Sequence, residues 1–339
     1  MLEIRPASAE DIRVATSGGS ALPLEQSSVW QKFSTADGHP LAGRFIWEED
    51  GKVIAVASFY RHSLRGFPFL WAKRGPVWLK EATPEREKEL RDSLRVYLRK
   101  SDPTIVFVRM HATYAAQDMT DPMRVIGYDR TVVIDGARGD RDAALAIMPK
   151  DGRRTVTRAR KKMEQMGGTI QQEFPSSTEF AEYYSMLEET AARDGFTPHP
   201  RQHYWNFLDC LGENARLYSA RVDGELAAWD LVGVNGAEGT AFYGASSQLS
   251  RQAQAVPALD FEIACLLGEE GLRGLDLMGI HSPRTPELFA VGKYKSKFAA
   301  SPEDVPGLWD VPVRTLQYRA LKTAYKLRAS VKRSSTEAQ

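Results

Sequence analysis

Cysteine is nearly absent: the 339 residues hold two, Cys210 and Cys265. They lie far apart in apolar, helix-like surroundings with no metal-type spacing. A disulfide framework is therefore excluded, and both read as core thiols in a reducing compartment. Long hydrophobic runs are missing too. No apolar stretch approaches the roughly 18 residues of a membrane span, and the opening MLEIRPASAEDI has no run of the secretory-signal kind. The expected location is cytoplasmic. Nor does one sign of charge dominate, since 45 Lys and Arg stand against 44 Asp and Glu, so nothing pulls the whole chain toward polyanions. There is no G-x-S-x-G elbow, P-loop or dinucleotide fingerprint, and no His/Asp/Glu/Cys grouping with metal spacing. Nucleophilic and cofactor chemistry are thus poorly supported; no cofactor and no metal are expected.

What is present is an ordinary globular composition, 42% hydrophobic and 26% charged, in a chain long enough for two domains. Residues 44–48 and 52–60 alternate as strands around Glu49-Asp50-Gly51, a hairpin turn of the Asp-Gly kind. A strand near 67–72 follows. Pro84 opens a helix to Lys100 with Leu90, Leu94, Tyr97 and Leu98 on one face. Strands at 105–110 and 132–134 are expected to close the unit. A similar order then recurs: helices at 151–166, 177–194 and 202–211, and strands at 216–222 and 226–234 about Asp223-Gly224. A strand at 240–244, a helix at 257–270 and a strand at 275–278 complete it. The succession predicts two copies of one α/β fold: residues 1–146, joined by a C-terminal helix at 313–333, and residues 147–305.

Three stretches carry candidate chemistry. Lys150 to Lys162 holds seven cations and one acid, with Arg154, Arg158 and Lys162 on one face, a stripe suited to phosphates. Val313 to Arg333 holds seven basic residues and no acid. Its stripe of Leu316, Ala320, Ala324 and Leu327 packs against the first domain, while Arg319, Lys322 and Lys326 on another face suit peripheral contact with the inner face of an anionic membrane. Asp276 to Phe298 runs from a short strand, broken at Gly279, through a Pro/Ser-rich loop into Lys293-Tyr294-Lys295-Ser296-Lys297-Phe298. A strand opening into a loop beside clustered cations is a natural holder of an oxyanion, although a lysine-rich surface loop has the same composition. His111, just after a buried strand, is a candidate for acid-base work or a hydrogen-bonded structural residue. His199 and His203 flank Arg201, as an anion site or a helix cap.

Five passages in order resemble the Fem-type (FemABX) aminoacyl-tRNA-dependent peptidyltransferases: Lys73-Arg74-Gly75-Pro76-Val77, Ala192-Arg193-Asp194-Gly195-Phe196, Phe242-Tyr243-Gly244-Ala245-Ser246, Asp276-Leu277-Met278-Gly279-Ile280 and Tyr294-Lys295-Ser296-Lys297-Phe298. The resemblance implies an α/β fold of mixed sheets and two acyl-CoA N-acyltransferase-like (GNAT-like) domains in tandem. The long helical arm of some members has no counterpart here, since the sequence holds no heptad stretch. It implies transfer of an amino acid from aminoacyl-tRNA to the stem-peptide amine of a peptidoglycan precursor, lipid II or UDP-MurNAc-pentapeptide. Lys295 matches the family lysine that would hold the tetrahedral oxyanion, and Tyr243 would line the muropeptide groove. Charge alone nominates Arg154, Arg158 and Lys162 for the tRNA acceptor stem. The chain also departs from the family. Where a phosphate-binding lysine often lies four residues after the Trp, Ser34 stands here, with Lys32 two after Trp30. The later diphosphate arginine falls near His199, with Arg201 close by, and an acid sometimes implicated after the third strand is replaced by His111. Two alternatives stay open: an acyl-CoA N-acyltransferase, against which the pyrophosphate loop Gln/Arg-x-x-Gly-x-Gly/Ala is missing, and a non-catalytic protein that binds precursor or tRNA.

Overall fold

The computed structural model describes residues 2–19, 21–123 and 127–336, with the side chains of 326–336 excepted. The expected C-terminal stripe is corrected: Leu316, Ala320 and Ala324 are exposed, and Tyr318 and Leu321 are the residues that pack inward, while Lys326 and Leu327 lie outside the described side chains. The first part of the chain runs β1 (Glu3–Ala7), α1 (Ala9–Thr16), α2 (Trp30–Ala36), β2 (Leu41–Glu49), β3 (Lys52–Leu64), β4 (Phe67–Trp71), β5 (Val77–Trp78), α3 (Pro84–Ser101), β6 (Phe107–Ala112) and β7 (Arg130–Asp135). It continues through α4 (Arg141–Ile147), α5 (Lys150–Gln165), β8 (Gly168–Glu173), α6 (Phe180–Asp194), α7 (Arg201–Leu211), β9 (Ala215–Val222), β10 (Glu225–Asn235) and β11 (Glu238–Ser246). The last elements are α8 (Gln248–Ala253), α9 (Ala255–Glu269), β12 (Gly274–Gly279), α10 (Phe289–Lys295), β13 (Glu303–Asp304), β14 (Gly307–Pro312) and α11 (Thr315–Thr336).

Local chemistry explains the boundaries. Ser8 caps α1 in a reciprocal box with Asp11. Thr83 accepts from the Arg86 amide ahead of Pro84, and α3 buries Leu90, Leu94 and Leu98 as its periodicity predicts. Both hairpins turn through left-handed pairs, Asp50-Gly51 and Asp223-Gly224. In α6 the buried stripe takes in Phe180, Tyr183, Met186, Leu187 and Ala191, and Tyr184 is half-buried. Cys265 is buried, whereas Cys210 is half-exposed on α7, a correction to its reading as a core thiol. Helix α11 runs to Thr336, past the expected end at residue 333, and residues 337–339 lie outside the described residues.

Contacts divide the chain into two units, 1–28 with 38–127 and 306–339, and 29–37 with 128–305. The first sheet has the order β1-β2-β3-β4-β6-β14, with β5 paired to β3; the second has the order β13-β7-β12-β11-β10-β9-β8. Each holds four antiparallel strands, then one parallel neighbour, then an antiparallel strand. The copies are the same, but the last of these strands is exchanged. Strand β7 follows β6 in sequence yet pairs with β12, and β14 follows β12 yet pairs with β6. The strand at 132–134, expected to close the first unit, therefore belongs to the second. Its apolar run Thr131 to Ile134 fits either sheet, and only long-range pairing decides. In the first unit, Arg109 and Asp310 form a buried ion pair, and the Tyr318 hydroxyl of α11 donates to Asp310 at 3.1 Å. In the second, α9 is buried along most of its length, with α5 packed against it. Among the described residues, no helix is long and apolar enough to cross a membrane.

Candidate active site

Strands β11 and β12 run parallel, but their register covers only Gly239 with Leu275 and Thr240 with Asp276. Beyond that point β11 continues beside β10 while β12 bulges, with Met278 at φ 63°. A bulge turns the following residues away from the ladder, a device common next to active sites. The bulge is held by Asp276, whose Oδ1 accepts from the Met278 amide at 2.7 Å and from the Thr131 hydroxyl.

Lys295 ends α10. Its residues 293–295 are helical, which corrects the reading of this basic-aromatic stretch as a loop. The side chain is half-buried, and Nζ donates to the Gly279 carbonyl at 3.2 Å, at the very residue where β12 ends. Burial pushes the ammonium below its ordinary pKa, while the negative charges of Asp260, Asp276 and Asp230 work in the opposite direction. Beside it, the Tyr294 hydroxyl donates to Asp260 Oδ2 at 2.7 Å. Asp230 on β10 and Asp260 on α9 form a carboxyl pair. Burial, and then the charge of Asp260, hold Asp230 well above the ordinary range, and burial raises Asp260 as well. Two enclosed carboxyls that close together favour one shared proton over two charges. Oδ2 of Asp230 is enclosed without a hydrogen-bond partner, which suits the carboxyl of the pair that holds the proton.

A second cluster in the same unit forms where α2 and α7 meet β11. Trp30, Phe33, Phe207 and Phe242 stack edge to face and tilted, with centroids 4.9–6.3 Å apart. At its border, His203 Nδ1 lies 2.6 Å from Asp37 Oδ1 and Nε2 lies 2.8 Å from the Tyr243 hydroxyl. A carboxylate only accepts, so Nδ1 donates to Asp37; in the neutral ring Nε2 then accepts from the Tyr243 hydroxyl. The His199 ring stacks on His203 at 4.1 Å. Ser34 is buried on α2; Lys32 is exposed, and its charge reaches the Cys210 thiol on α7. Arg201 is exposed at the start of α7.

Arg154 and Arg158 stand exposed on α5 and Lys162 is half-buried, while Gly152, Val156, Ala159 and Met163 face inward. Gly152 has a specific reason: a Cβ there would fall 2.1 Å from the Lys297 carbonyl oxygen, so α5 lies directly on the turn that follows Lys295. His111 is not part of this unit. It sits on β6 of the first unit, half-buried, with Nδ1 donating to the Pro306 carbonyl at 2.9 Å.

The structure thus gathers Lys295 with three acids that the sequence reading did not nominate, and joins Tyr243 and His199 through His203 and Asp37. One signal was available: Asp230 is a lone acid inside the apolar run Ala227–Val232, and Asp260 stands, with Glu262, in the otherwise apolar Val256–Leu267. Asp37 carries no such signal.

A family model described as an acetyltransferase (GNAT) domain matches residues 150–296. Among solved structures, the chain is similar to FemX, with a TM-score of 0.71 and 14% identity over 94% of this chain and 99% of that one. It is similar to the C-terminal domain of a lysylphosphatidylglycerol synthetase described for Agrobacterium fabrum, with a TM-score of 0.51 and 14% identity, covering 90% and 92% of the two chains. A tandem GNAT protein from the clavulanic acid biosynthesis pathway gives a TM-score of 0.51 and 15% identity over 92% and 99%. No curated protein matches the sequence. The fold is therefore a two-domain GNAT-like one with mixed α/β sheets.

Proposed function

We propose that the chain is an aminoacyltransferase of Fem type, moving an amino acid from aminoacyl-tRNA to the stem-peptide amine of a peptidoglycan precursor, lipid II or UDP-MurNAc-pentapeptide. The observation that carries this reading is Lys295: a half-buried ammonium, aimed at the end of β12 where the parallel strands part. The amine attacks the ester carbonyl and the Lys295 ammonium donates to the resulting oxyanion. Collapse then forms the amide, breaks the ester, and delivers the amine's proton to the departing ribose oxygen. An ester already activated by tRNA needs position and charge rather than a nucleophile. Asp276 and the single negative charge shared by Asp230 and Asp260 oppose the effect of burial on Lys295.

Tyr243, with His203 and Asp37 behind it, and His199, Arg201, Lys32 and Ser34 are assigned to the peptide acceptor. Arg154, Arg158 and Lys162 are assigned to the acceptor stem of tRNA, a placement favoured by the packing of α5 on Lys297. The structure gives His111 a carbonyl partner, so it is assigned a structural part. Likeness to FemX and to a lysylphosphatidylglycerol synthetase, whose names describe those proteins, supports aminoacyl transfer as the chemistry.

The test is transfer of labelled amino acid from a mixture of charged tRNAs to either precursor form. RNase is expected to abolish it, and Lys295→Met to lower kcat by about 10²–10³-fold, the loss typical of one oxyanion donor. No transfer from any charged tRNA by folded protein would sink the reading. A second reading, an acyl-CoA N-acyltransferase, is favoured by the acetyltransferase family model over 150–296. Clear thermal stabilisation by coenzyme A would select it.

A further inference from the structure

The first unit contains a pocket of about 440 Å³ that shares no residue with the clusters above. It lies between α3 and the start of α11, and its wall carries Arg95, Arg99, Arg319 and Lys322 against one acid, Asp118. That acid is already answered. Burial works to raise its pKa, but hydrogen bonds and charge from Arg91 and Arg95 outweigh this and hold it below the usual range.

The cations are set in place rather than loose. Arg95 donates to the Pro312 carbonyl at 3.1 Å, to Asp92 Oδ1 at 2.9 Å, and through Nη2 to the carbonyl and Oδ2 of Asp118 at 2.9 and 2.7 Å, so a single N–H is left to it. Arg99 donates through Nε to the Val313 carbonyl at 3.1 Å, which leaves its Nη groups for a ligand. Arg319 and Lys322 lie about one helical turn apart, and neither has an ion-pair or hydrogen-bond partner among the described residues. Between them in the wall, Tyr318 fixes α11 through its hydroxyl, 2.7 Å from Thr120 Oγ1 and 3.1 Å from Asp310 Oδ2. Thr315, the first residue of this 22-residue helix, also lines the pocket, and the first turn holds no acid. The positive end of the helix dipole therefore adds to the same field.

Arg99, Arg319 and Lys322 converge on one concave site whose single acid is answered by Arg91 and Arg95, which makes the site a receptor for a compact multivalent anion. We propose that this pocket binds a phosphate or diphosphate group, whether free or carried as the headgroup of a lipid. Arg99 supplies a planar two-pronged contact, Arg95 a single one, and Arg319 and Lys322 close over the other side.

The experiment uses the full chain at low salt in two arms. In the first, inorganic pyrophosphate is titrated by calorimetry into the native protein, into Arg319→Ala/Lys322→Ala, and into Lys52→Ala/Lys80→Ala, which removes the same charge elsewhere on the first unit. Affinity is expected to fall at least tenfold in the pocket variant and to stay within twofold in the control. In the second, the same proteins are sedimented with vesicles of equal parts phosphatidylglycerol and phosphatidylcholine, with and without pyrophosphate. Vesicle binding that is lost in the pocket variant and displaced by pyrophosphate identifies a lipid headgroup as the source, and pyrophosphate binding without vesicle binding identifies a free phosphate. Absence of pyrophosphate binding, an equal loss in both variants, or vesicle binding that pyrophosphate does not displace would overturn the proposal. Circular dichroism of both double variants accompanies each arm, since Arg319 is exposed and its truncation leaves the Tyr318 anchor in place.

Discussion

The hydroxyl of Tyr294 donates a 2.7 Å hydrogen bond to Oδ2 of Asp260, and the residue after Tyr294 is Lys295. The pairing fixes the last turn of α10 to the middle of α9, so the lysine is aimed from a rigid base. Burial, and then the charge of Asp260, raise the Tyr294 pKa well above its ordinary value, which keeps the hydroxyl a donor. Tyr294→Phe removes that donor from an enclosed carboxyl. Stability is expected to fall by about 1.5–3 kcal/mol, the usual range for a bond to a charged acceptor. Urea denaturation checks it, and an unchanged midpoint would show that Asp260 does not depend on this bond.

Gly152 offers a second test, because two effects oppose each other there. Alanine is the better helix former by about 1 kcal/mol. Its Cβ, however, would meet the Lys297 carbonyl oxygen at 2.1 Å and Met148 Cγ at 2.9 Å. The carbonyl is backbone and gives little, so α5 or the turn after Lys295 must shift. Gly152→Ala is expected to destabilise by about 1–3 kcal/mol, whereas Thr157→Ala, on the exposed face of the same helix, stays within about 0.5 kcal/mol. A Gly152→Ala protein as stable as the native one would remove the argument that α5 is pressed on this turn.

These residues also show where sequence reading succeeds. Hairpins and amphipathic helices were legible because their signals are local: Asp50-Gly51 and Asp223-Gly224 need no distant partner to turn, and α5 shows its buried face by spacing alone. The exchange of β7 and β14 was not legible, since an apolar strand such as Arg130–Asp135 carries no mark of which sheet it enters. Strand β8 was missed for a related reason. It is an edge strand of mixed burial, Gly168–Glu173, without the apolar alternation of a half-buried one. At the candidate site, Lys295 and Tyr243 were found through motif resemblance. Asp37 was not, because its part depends on α2 and α7 being brought together, and nothing in either segment states that.

The chain from Asp37 through His203 to Tyr243 leads to a kinetic prediction under the proposed function. Asp37 fixes the tautomer that lets His203 accept from the Tyr243 hydroxyl. Asp37→Asn offers the ring an amide that can donate as well as accept, so the tautomer is no longer dictated and Tyr243 loses its fixed orientation. If Tyr243 holds the peptide acceptor, KM for the acceptor rises about 3–10-fold with kcat little changed, the value of one neutral hydrogen bond. Steady-state kinetics with the acceptor varied decide it. A fall in kcat at constant KM would place this chain in the chemistry instead of in binding.

The last prediction concerns acid stability of the first unit. His62 is buried and stacked on His39 at 3.8 Å and on Phe69 at 5.3 Å. Burial above all, and then the charges of His39, Lys73 and Arg109, lower its pKa from 6.5 to about 2. Between those two values the unfolded chain binds a proton that the folded chain refuses, so stability rises with pH across that window. The full contribution is present above about 6.5 and is lost as pH falls, at up to about 1.4 kcal/mol per pH unit. His62→Phe keeps an aromatic ring against His39 and Phe69 and removes the titrating group. Unfolding by urea at about pH 7 and about pH 5 is expected to show a drop in the native protein that is smaller by about 1–2 kcal/mol in the variant. The carboxylates common to both proteins cancel in that difference. Parallel losses in the two proteins would mean that His62 takes up its proton without unfolding, and that the stack of rings opens to water in acid.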